Sequence, residues 1–555
     1  MTESEIDPYD IVSDPERPFW ADAVADVVER EKRDGEPATA DDPLVIKGGV
    51  SPSGIPHIGH FNEILRGYLV AEALRDRGHA VEQVFTSDDR DRLRKLPRQL
   101  ADSDWNIVGL GEVDAGALGR NLGRPYTDVP DPFDEADSYG DHFTTLLRES
   151  VERLGIDVEF VSNTELYESG AFDDVVTHVL EHRETAREVL SSYQAKVDED
   201  YVPFFAICDS CGQLTETITD VDLDDRTVSY VCTDSEAGDD VIEGCGHEGT
   251  TSIRNGKLPW RFEWPAQWKV LGVDFEPFGK DHAEGSWPSG VDIARNVVDV
   301  EPPIPMVYEW FTLEGEALSS SAGNVVTVEE VLDLLEPEVL LYFFAKEPLK
   351  QRDFSIQQLD QLVDEFDRFE KLHFEEREAE ERERERAHRV YPMLVDEPRP
   401  ERIRIPYTFA AVLGMTDDPS LREEIARREG HIPDDAPEWA VEEALARVER
   451  ARRWARRTGN EFDYELKRSD LPEVEVDEAT AEALEELADF VEEGHDGDAI
   501  QAEIFSIAER HDLDVGEFFS TGYRLLFDED QGPKLGPFLA KLDREFVVDR
   551  LRRER

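Results

Sequence analysis

The chain has 555 residues, 129 of them acidic and 60 basic, for a formal net charge of −69. That length exceeds one hydrophobic core and divides into roughly two to four domains. No apolar run reaches the roughly 18 residues of a membrane-spanning helix, and four cysteines are too few for a disulfide scaffold. The acids are spread along the chain and alternate with apolar residues, so they form a solvated surface and not an acidic tail. Such a surface repels itself at low salt and is relieved when ions screen it. We read it as an adaptation to a cytoplasm of very high ionic strength. The opening residues are acidic and lack an apolar core, so no signal peptide is expected and the location is expected to be cytoplasmic.

Residues 1–40 read as an N-terminal helical extension, with a helix over Trp20 to Lys32. From 41 to 327, short apolar runs alternate with amphipathic helices, the pattern of a parallel α/β sheet. Pro43-Leu44-Val45-Ile46 and Val81 to Thr86 read as strands, and Phe61 to Arg75 and Phe143 to Leu154 as helices. Between the first strand and its helix lies Pro52-Ser53-Gly54-Ile55-Pro56-His57-Ile58-Gly59-His60. A small-residue loop at a strand exit, running into a helix, is where α/β sheets bind ligands. The helix N-terminus offers N–H groups and a positive dipole end to a phosphate. His57 and His60 add hydrogen bonds, and Gly59 leaves room for a flat base on the backbone. The stretch therefore reads as a nucleotide site for chemistry at the α-phosphate.

Residues 201–255 form an insert. Cys208-Asp209-Ser210-Cys211 opens it, and Cys232, Cys245 and His247 follow. A C-x₂-C knuckle with two further ligands is a zinc pattern. The expected ligands are Cys208, Cys211, Cys232 and Cys245, with His247 as the alternative to Cys245. Zinc would keep a small loop-rich module folded without a core of its own. The sheet is expected to resume over Trp268 to Gly279. Asp281 follows its last glycine, where an acid can bind ribose hydroxyls. Met306 to Leu313 then leads into a serine-rich loop. From 328 strand signals fade. Val328 to Leu335, Ser355 to Phe374, 436–460, 477–494 and 497–511 have helical spacing. Glu375 to Arg389 reads as a solvated or partly disordered helix. The expected fold is an α/β Rossmann-type parallel-sheet catalytic domain with a zinc-knuckle insert, followed by an all-α C-terminal domain over 328–555.

Pro-Ser-Gly-x-x-His-Ile-Gly-His resembles the first nucleotide motif of class I aminoacyl-tRNA synthetases. Ala317-Leu318-Ser319-Ser320-Ser321-Ala322-Gly323-Asn324 stands where that class carries a mobile Lys-Met-Ser-Lys-Ser-like loop. Within the class, the chain is most similar to the archaeal-type class I lysyl family. Ser87-Asp88-Asp89-Arg90-Asp91, Leu93 to Pro97, Leu258 to Arg261, Gly279 to His282, Tyr308-Glu309-Trp310 and Gly532 to Gly536 carry that likeness in family order. The resemblance implies ATP-dependent ligation of L-lysine to tRNA(Lys) through a lysyl-adenylate, with Mg²⁺ accompanying ATP. It assigns His57, His60, Ser319, Ser320 and Ser321 to catalysis. It assigns Pro52, Ser53, Gly54, Gly59, Asp281 and Leu318, with those histidines and serines, to ATP. Gly49, Ser51, Trp260, His282 and Tyr308 are carried over to the amino acid, and the helical region to the anticodon. A monomer is favoured, with no membrane partner.

This chain departs from the class in one respect. The two usual lysine positions of the serine loop are Ala317 and Ala322. Either another cation (Lys280, Lys257 or Mg²⁺) neutralises the triphosphate, or the loop works by closing over ATP. Gly48-Gly49-Val50 carries no arginine where glutamyl enzymes hold the substrate carboxylate, which favours a substrate without an acidic side chain. Asp88, Asp89 and Asp91 read as a solvated turn or a tRNA acceptor contact. The competing functions are a class I synthetase for glutamate or glutamine, a nucleotidyltransferase using the same His-x-Gly-His site, and a non-catalytic tRNA-binding protein.

Overall fold

The structure is a computed structural model that describes residues 6–33, 36–194, 197–237, 240–318, 325–468, 471–532 and 534–554. A five-stranded sheet organises the N-terminal part. Its strands are β1 (Leu44–Val50), β2 (Val81–Ser87), β3 (Glu159–Ser162), β4 (Phe275–Gly279) and β5 (Ile304–Tyr308), in the spatial order β3-β2-β1-β4-β5. All neighbours pair in parallel. β1 and β2 run in register from Leu44↔Val81 to Val50↔Ser87, and β4 and β5 from Phe275↔Ile304 to Gly279↔Tyr308. Every residue of β4 and β5 is buried, as in strands covered on both faces. The strand order reverses between β1 and β4, so a crevice opens at their C-terminal ends.

Helices α1 (Trp20–Arg33), α2 (Phe61–Arg75) and α3 (Tyr139–Arg153) belong to this layer, α2 coinciding with the expected span. In α2, a Cβ on Gly67 would lie 3.0 Å from Gln83 Nε2 and 3.3 Å from Ile46 Cγ2, so this glycine sets how closely the helix rests on β1 and β2. Further on come α4 (Asp173–Glu181), α5 (Arg183–Ser191) and α6 (Trp260–Leu271). Trp268 to Leu271 thus belong to a helix and not to the sheet. Trp260, Trp264 and Trp268 recur every fourth residue, which stacks them along one helix face. Gly272 ends α6 in the left-handed region (φ 66°), and β4 begins at Phe275.

The cysteine-bearing insert is built of strands, not loops. Thr217–Asp222, Thr227–Val231 and Glu248–Ser252 form an antiparallel sheet, and Phe205–Ile207, Leu214–Thr215 and Gly256–Lys257 form another. Its buried side chains join a core that other elements complete. Cys208, Val228, Tyr230 and Cys232 share one buried cluster with Val176 and Leu180 of α4 and Phe262 of α6.

The chain forms two compact units. The first is Met1–Val331, Leu340–Ser355 and Ala379–Asp396, and the second is Leu332–Val339, Ile356–Glu378 and Glu397–Arg555. Among the described residues the second unit contains helices and no strand, including α7 (Leu359–His373) and α8 (Glu438–Thr458). Helices Glu478–Glu492, Gly497–Arg510 and Val515–Phe527 each start from an aspartate. Asp477, Asp496 and Asp514 accept the N–H of Thr480, Ala499 and Glu517. The acids therefore shape the fold as well as charging its surface. At the centre of this unit Arg447 of α8 is buried against Asp367 (2.6 and 2.8 Å) and Glu336 (2.6 Å). The run Glu375–Arg389 is solvated as expected apart from Ala387, and burial sets in beyond it. A helix spans Glu381–Leu394 with Ala387, Val390 and Tyr391 buried, because apolar residues follow the charged stretch within the same helix. Among the described residues, no helix is long and apolar enough to cross a membrane.

Candidate active site and cysteine cluster

The loop between β1 and α2 lies at the switch point of the sheet. His57 is buried, and its ring stacks on that of His60, with centroids 3.9 Å apart and planes 22° from parallel. The Gly59 N–H donates to His57 Nδ1 (3.0 Å), and the His57 N–H donates to His60 Nδ1 (3.2 Å). A nitrogen that accepts from a backbone N–H bears no proton, so both neutral rings carry theirs on Nε2. Burial, with His60 adding, holds His57 well below the usual imidazole range, and burial brings His60 down to about 4. The pair is therefore neutral at physiological pH and acts as two Nε2–H donors, not as two cations.

The helix N-terminus contributes less than its sequence suggests. The N–H groups of His60, Phe61 and Asn62 are bonded to the carbonyls of His57, Ile58 and Gly59 (3.0, 3.2 and 3.2 Å). The Ile58 N–H is taken by the Val326 carbonyl (3.0 Å). The amides from 57 to 62 are thus engaged inside the protein, which leaves the helix dipole and the imidazole Nε2–H groups for an anion. Gly59 is also required for a different reason than an open shelf for a base. A Cβ there would fall 2.6 Å from His57 Cε1 and 3.5 Å from Leu318 Cδ1. Leu318 and Val326 both meet the histidine loop and flank the serine loop on either side. Ser319, Ser320 and Ser321, with Ala322, lie outside the described residues. Ahead of the histidines, Pro52 and Gly54 are buried, and the Ser53 carbonyl accepts from the Tyr139 hydroxyl (2.9 Å).

Of the positions expected to hold the amino acid, Gly49 and Tyr308 meet at Glu63 of α2, which the sequence reading missed. Glu63 Oε1 accepts the Gly49 N–H (2.8 Å) and Oε2 accepts the Tyr308 hydroxyl (3.2 Å). The neighbouring cation, Lys47, is instead buried against Glu276 (2.8 Å), which also accepts from Trp264 and Trp268. Burial, reinforced by the charge of Glu276, pushes the Glu63 carboxyl up to about 8, yet the residue keeps a partly exposed edge. Trp260 stacks on Trp264 (5.4 Å) and lies 6.1 Å from the His282 ring, which bonds to Ser286 Oγ through Nδ1 (2.8 Å). Ser51 does not stand alone either, since its Oγ donates to Asp91 Oδ2 (3.0 Å).

The acids Asp88, Asp89 and Asp91 are not a solvated turn. Asp88 accepts from Asn163 (2.8 Å) and Gln267 (3.0 Å), and Asp89 accepts the Thr164 N–H (2.8 Å). Burial, with Asp91 adding, raises Asp88 to about 6. Lys257 is locked between Asp91 (2.5 Å) and Glu263 (2.6 Å), which removes it as a partner for a triphosphate. Lys280 pairs with Glu309 (2.9 Å) at the start of a short helix, Lys280–Glu284, beside exposed Asp281. A Cβ on Gly279 would lie 2.6 Å from Asp281 Oδ1 and 3.3 Å from Trp310 Nε1. Trp310, 54% exposed, is a second residue the sequence reading left without a role, although its motif was recognised.

The family model described as tRNA synthetases class I (K) matches residues 18–393. The chain belongs to this family of class I synthetases. A protein of Haloarcula marismortui named lysine–tRNA ligase is 70% identical over 547 residues, which covers 99% of each chain. Proteins with the same name from Natronomonas pharaonis and Halobacterium salinarum are each 66% identical, covering 99% and 97% of both chains respectively.

The synthetase's four cysteines converge. One sulfur from each of Cys208, Cys211, Cys232 and Cys245 lies within 4.8 Å of all the others, and none is in a disulfide. The 208–245 and 211–232 sulfur pairs are 3.6 and 3.7 Å apart. Four thiolates at about 2.3 Å from a tetrahedral zinc would stand about 3.8 Å from one another, so the donor set fits that ion. Gly212 and Gly246, at φ 77° and 73°, close the two knuckles and send their N–H groups to the carbonyls of Cys208 and Cys232. His247 offers its backbone carbonyl to the Cys232 N–H and is not among the converging side chains.

Proposed function

We propose that this synthetase condenses L-lysine with ATP to lysyl-adenylate and passes the lysyl group to tRNA(Lys). In the first step a lysine carboxylate oxygen attacks the α-phosphorus and pyrophosphate leaves. In the second, a ribose hydroxyl at the end of the tRNA attacks the carbonyl carbon and AMP leaves. His57 and His60 donate from Nε2 to the phosphate oxygens as charge moves onto pyrophosphate. Asp281 accepts from the ribose hydroxyls, and Ser319, Ser320 and Ser321 donate hydrogen bonds to the nucleotide. With Ala317 and Ala322 at the two usual lysine positions, Mg²⁺ bound with ATP would supply the missing positive charge. Cys208, Cys211, Cys232 and Cys245 hold a structural zinc, and the helical unit carries the anticodon surface. The reaction is assigned to the cytoplasm.

Glu63 carries the choice of lysine. A carboxylate between Gly49 and Tyr308, with Lys47 already given to Glu276, is complementary to an ammonium group and repels a substrate carboxylate. Trp260 and Tyr308 wall the aliphatic stem. Charging of tRNA with labelled lysine in molar KCl tests the reading. Lysyl-tRNA is the expected product, and lysine-dependent adenylate without any charging would overturn the second step.

A further inference from the structure

A cluster of ligand-type side chains lies on α4, outside the site described above. His178 and Glu181 on that helix and His182 at its C-terminal cap stand at i, i+3 and i+4, the spacing that brings side chains onto one helix face. One ligand atom from each lies within 4.8 Å of the other two. The two imidazole centroids are 4.2 Å apart. On the opposite face Val175, Val176, Val179 and Leu180 are buried in the core shared with Cys208 and Cys232, so the backbone that carries the cluster is fixed.

His182 is oriented as a metal-binding histidine is. Its ring Nδ1 meets the His178 carbonyl at 2.9 Å, and its backbone N–H reaches the same oxygen at 3.0 Å. A carbonyl only accepts, so Nδ1 carries the proton and Nε2 presents its lone pair outward. A ring nitrogen bonded to a backbone carbonyl is the usual support of a metal-bound imidazole. Two imidazoles and one carboxylate suit a zinc-, nickel- or copper-type ion and leave a coordination position for water. A cation there also meets the negative end of the helix dipole. The other charges acting on His178 are Lys269 and Asp299. Lys269 is turned onto the carbonyls of Val298 (2.6 Å) and Asp299 (3.4 Å).

We propose that His178, Glu181 and His182 bind one exchangeable divalent transition-metal ion, separate from the cysteine cluster. The ion ties the last turn of α4 to the start of α5. The test uses the full-length protein with its cysteines already zinc-loaded, dialysed against buffered zinc in molar KCl. The wild type takes up a second equivalent, and His182→Ala and His178→Ala each weaken that equivalent about tenfold or more while leaving the first unchanged. With Cu²⁺ as probe, electron paramagnetic resonance shows coupling to two imidazole nitrogens in the wild type and to one in His182→Ala. A single equivalent up to millimolar zinc, or a second one that binds both variants as tightly as the wild type, overturns the proposal.

Discussion

Replacing Glu63 with Gln removes a charge while keeping an oxygen to accept the Gly49 N–H, now 2.8 Å from Glu63 Oε1. An ammonium about 4 Å from a carboxylate at an effective dielectric of about 20 gains about 4 kcal/mol. The carboxyl stands at about 8 in the empty site, so ionising it at pH 7 costs about 1 kcal/mol. The remainder, about 3 kcal/mol, corresponds to a rise of about 100-fold in the KM for lysine. The sign of the pH dependence follows from the same group. Lysine binds the ionised carboxylate, so binding expels a proton from a site whose carboxyl is raised. Affinity should therefore climb about tenfold per pH unit towards pH 8 and level off above it. Lysine-dependent ATP–pyrophosphate exchange between pH 6 and pH 9 measures both effects. Glu63→Gln should show the higher KM and a flat profile. A KM close to the wild-type value, with a parallel pH profile, would refute the role of Glu63.

His60→Ala should slow adenylate formation by about 100-fold, the usual scale for losing one donor to developing charge, with tRNA affinity unchanged in filter binding; equal exchange rates would contradict it. Because His60 is held down at about 4, the wild type should lose no rate to its protonation between pH 8 and pH 6. Zinc is expected at about one per chain in the purified protein, and Cys208→Ser should lower both the zinc content and the Tm; elemental analysis showing under about half a zinc per chain would count against the cysteine site. Asp367→Ala leaves Arg447 buried without its bidentate partner and should cost about 3–5 kcal/mol in denaturant unfolding of the helical unit; an unshifted midpoint would show that this pair contributes nothing.

Much of the sheet was legible because its signals are local. The apolar run at Leu44, the glycine-rich exit and the largely apolar helical stretch Phe61–Arg75 each carry their own pattern, and the β1–loop–α2 unit follows from them. Trp268–Leu271 was placed in the sheet for a physical reason. The apolar residues Trp268, Val270 and Leu271 run on towards the strand that begins at Phe275, and the four-residue recurrence of tryptophan, which is the helix signal, was outweighed. The insert looked loop-rich because its strands are short and polar on one face, and the apolar residues they pack on belong to α4 and α6. At the site, His57, His60 and the cysteines stand out by spacing, and Asp281 was raised only by the Gly-x-Asp-His pattern of the resembling family. Glu63 does not, since an acid in the first turn of a helix is ordinary until Tyr308, 245 residues away, is brought onto it. The engagement of the Ile58 N–H was equally invisible, because the Val326 carbonyl that takes it comes from the far side of the serine loop.

The most direct measurement is a competition. The protein in molar KCl, with ATP, Mg²⁺ and total tRNA from a haloarchaeon, is offered all 20 amino acids together, and the acylated tRNA is identified by mass spectrometry. Lysine on tRNA(Lys) is the predicted product. Glutamate or glutamine on any tRNA would contradict the assignment of Glu63 and of the substrate, and the absence of any acylated tRNA would contradict the proposed reaction itself.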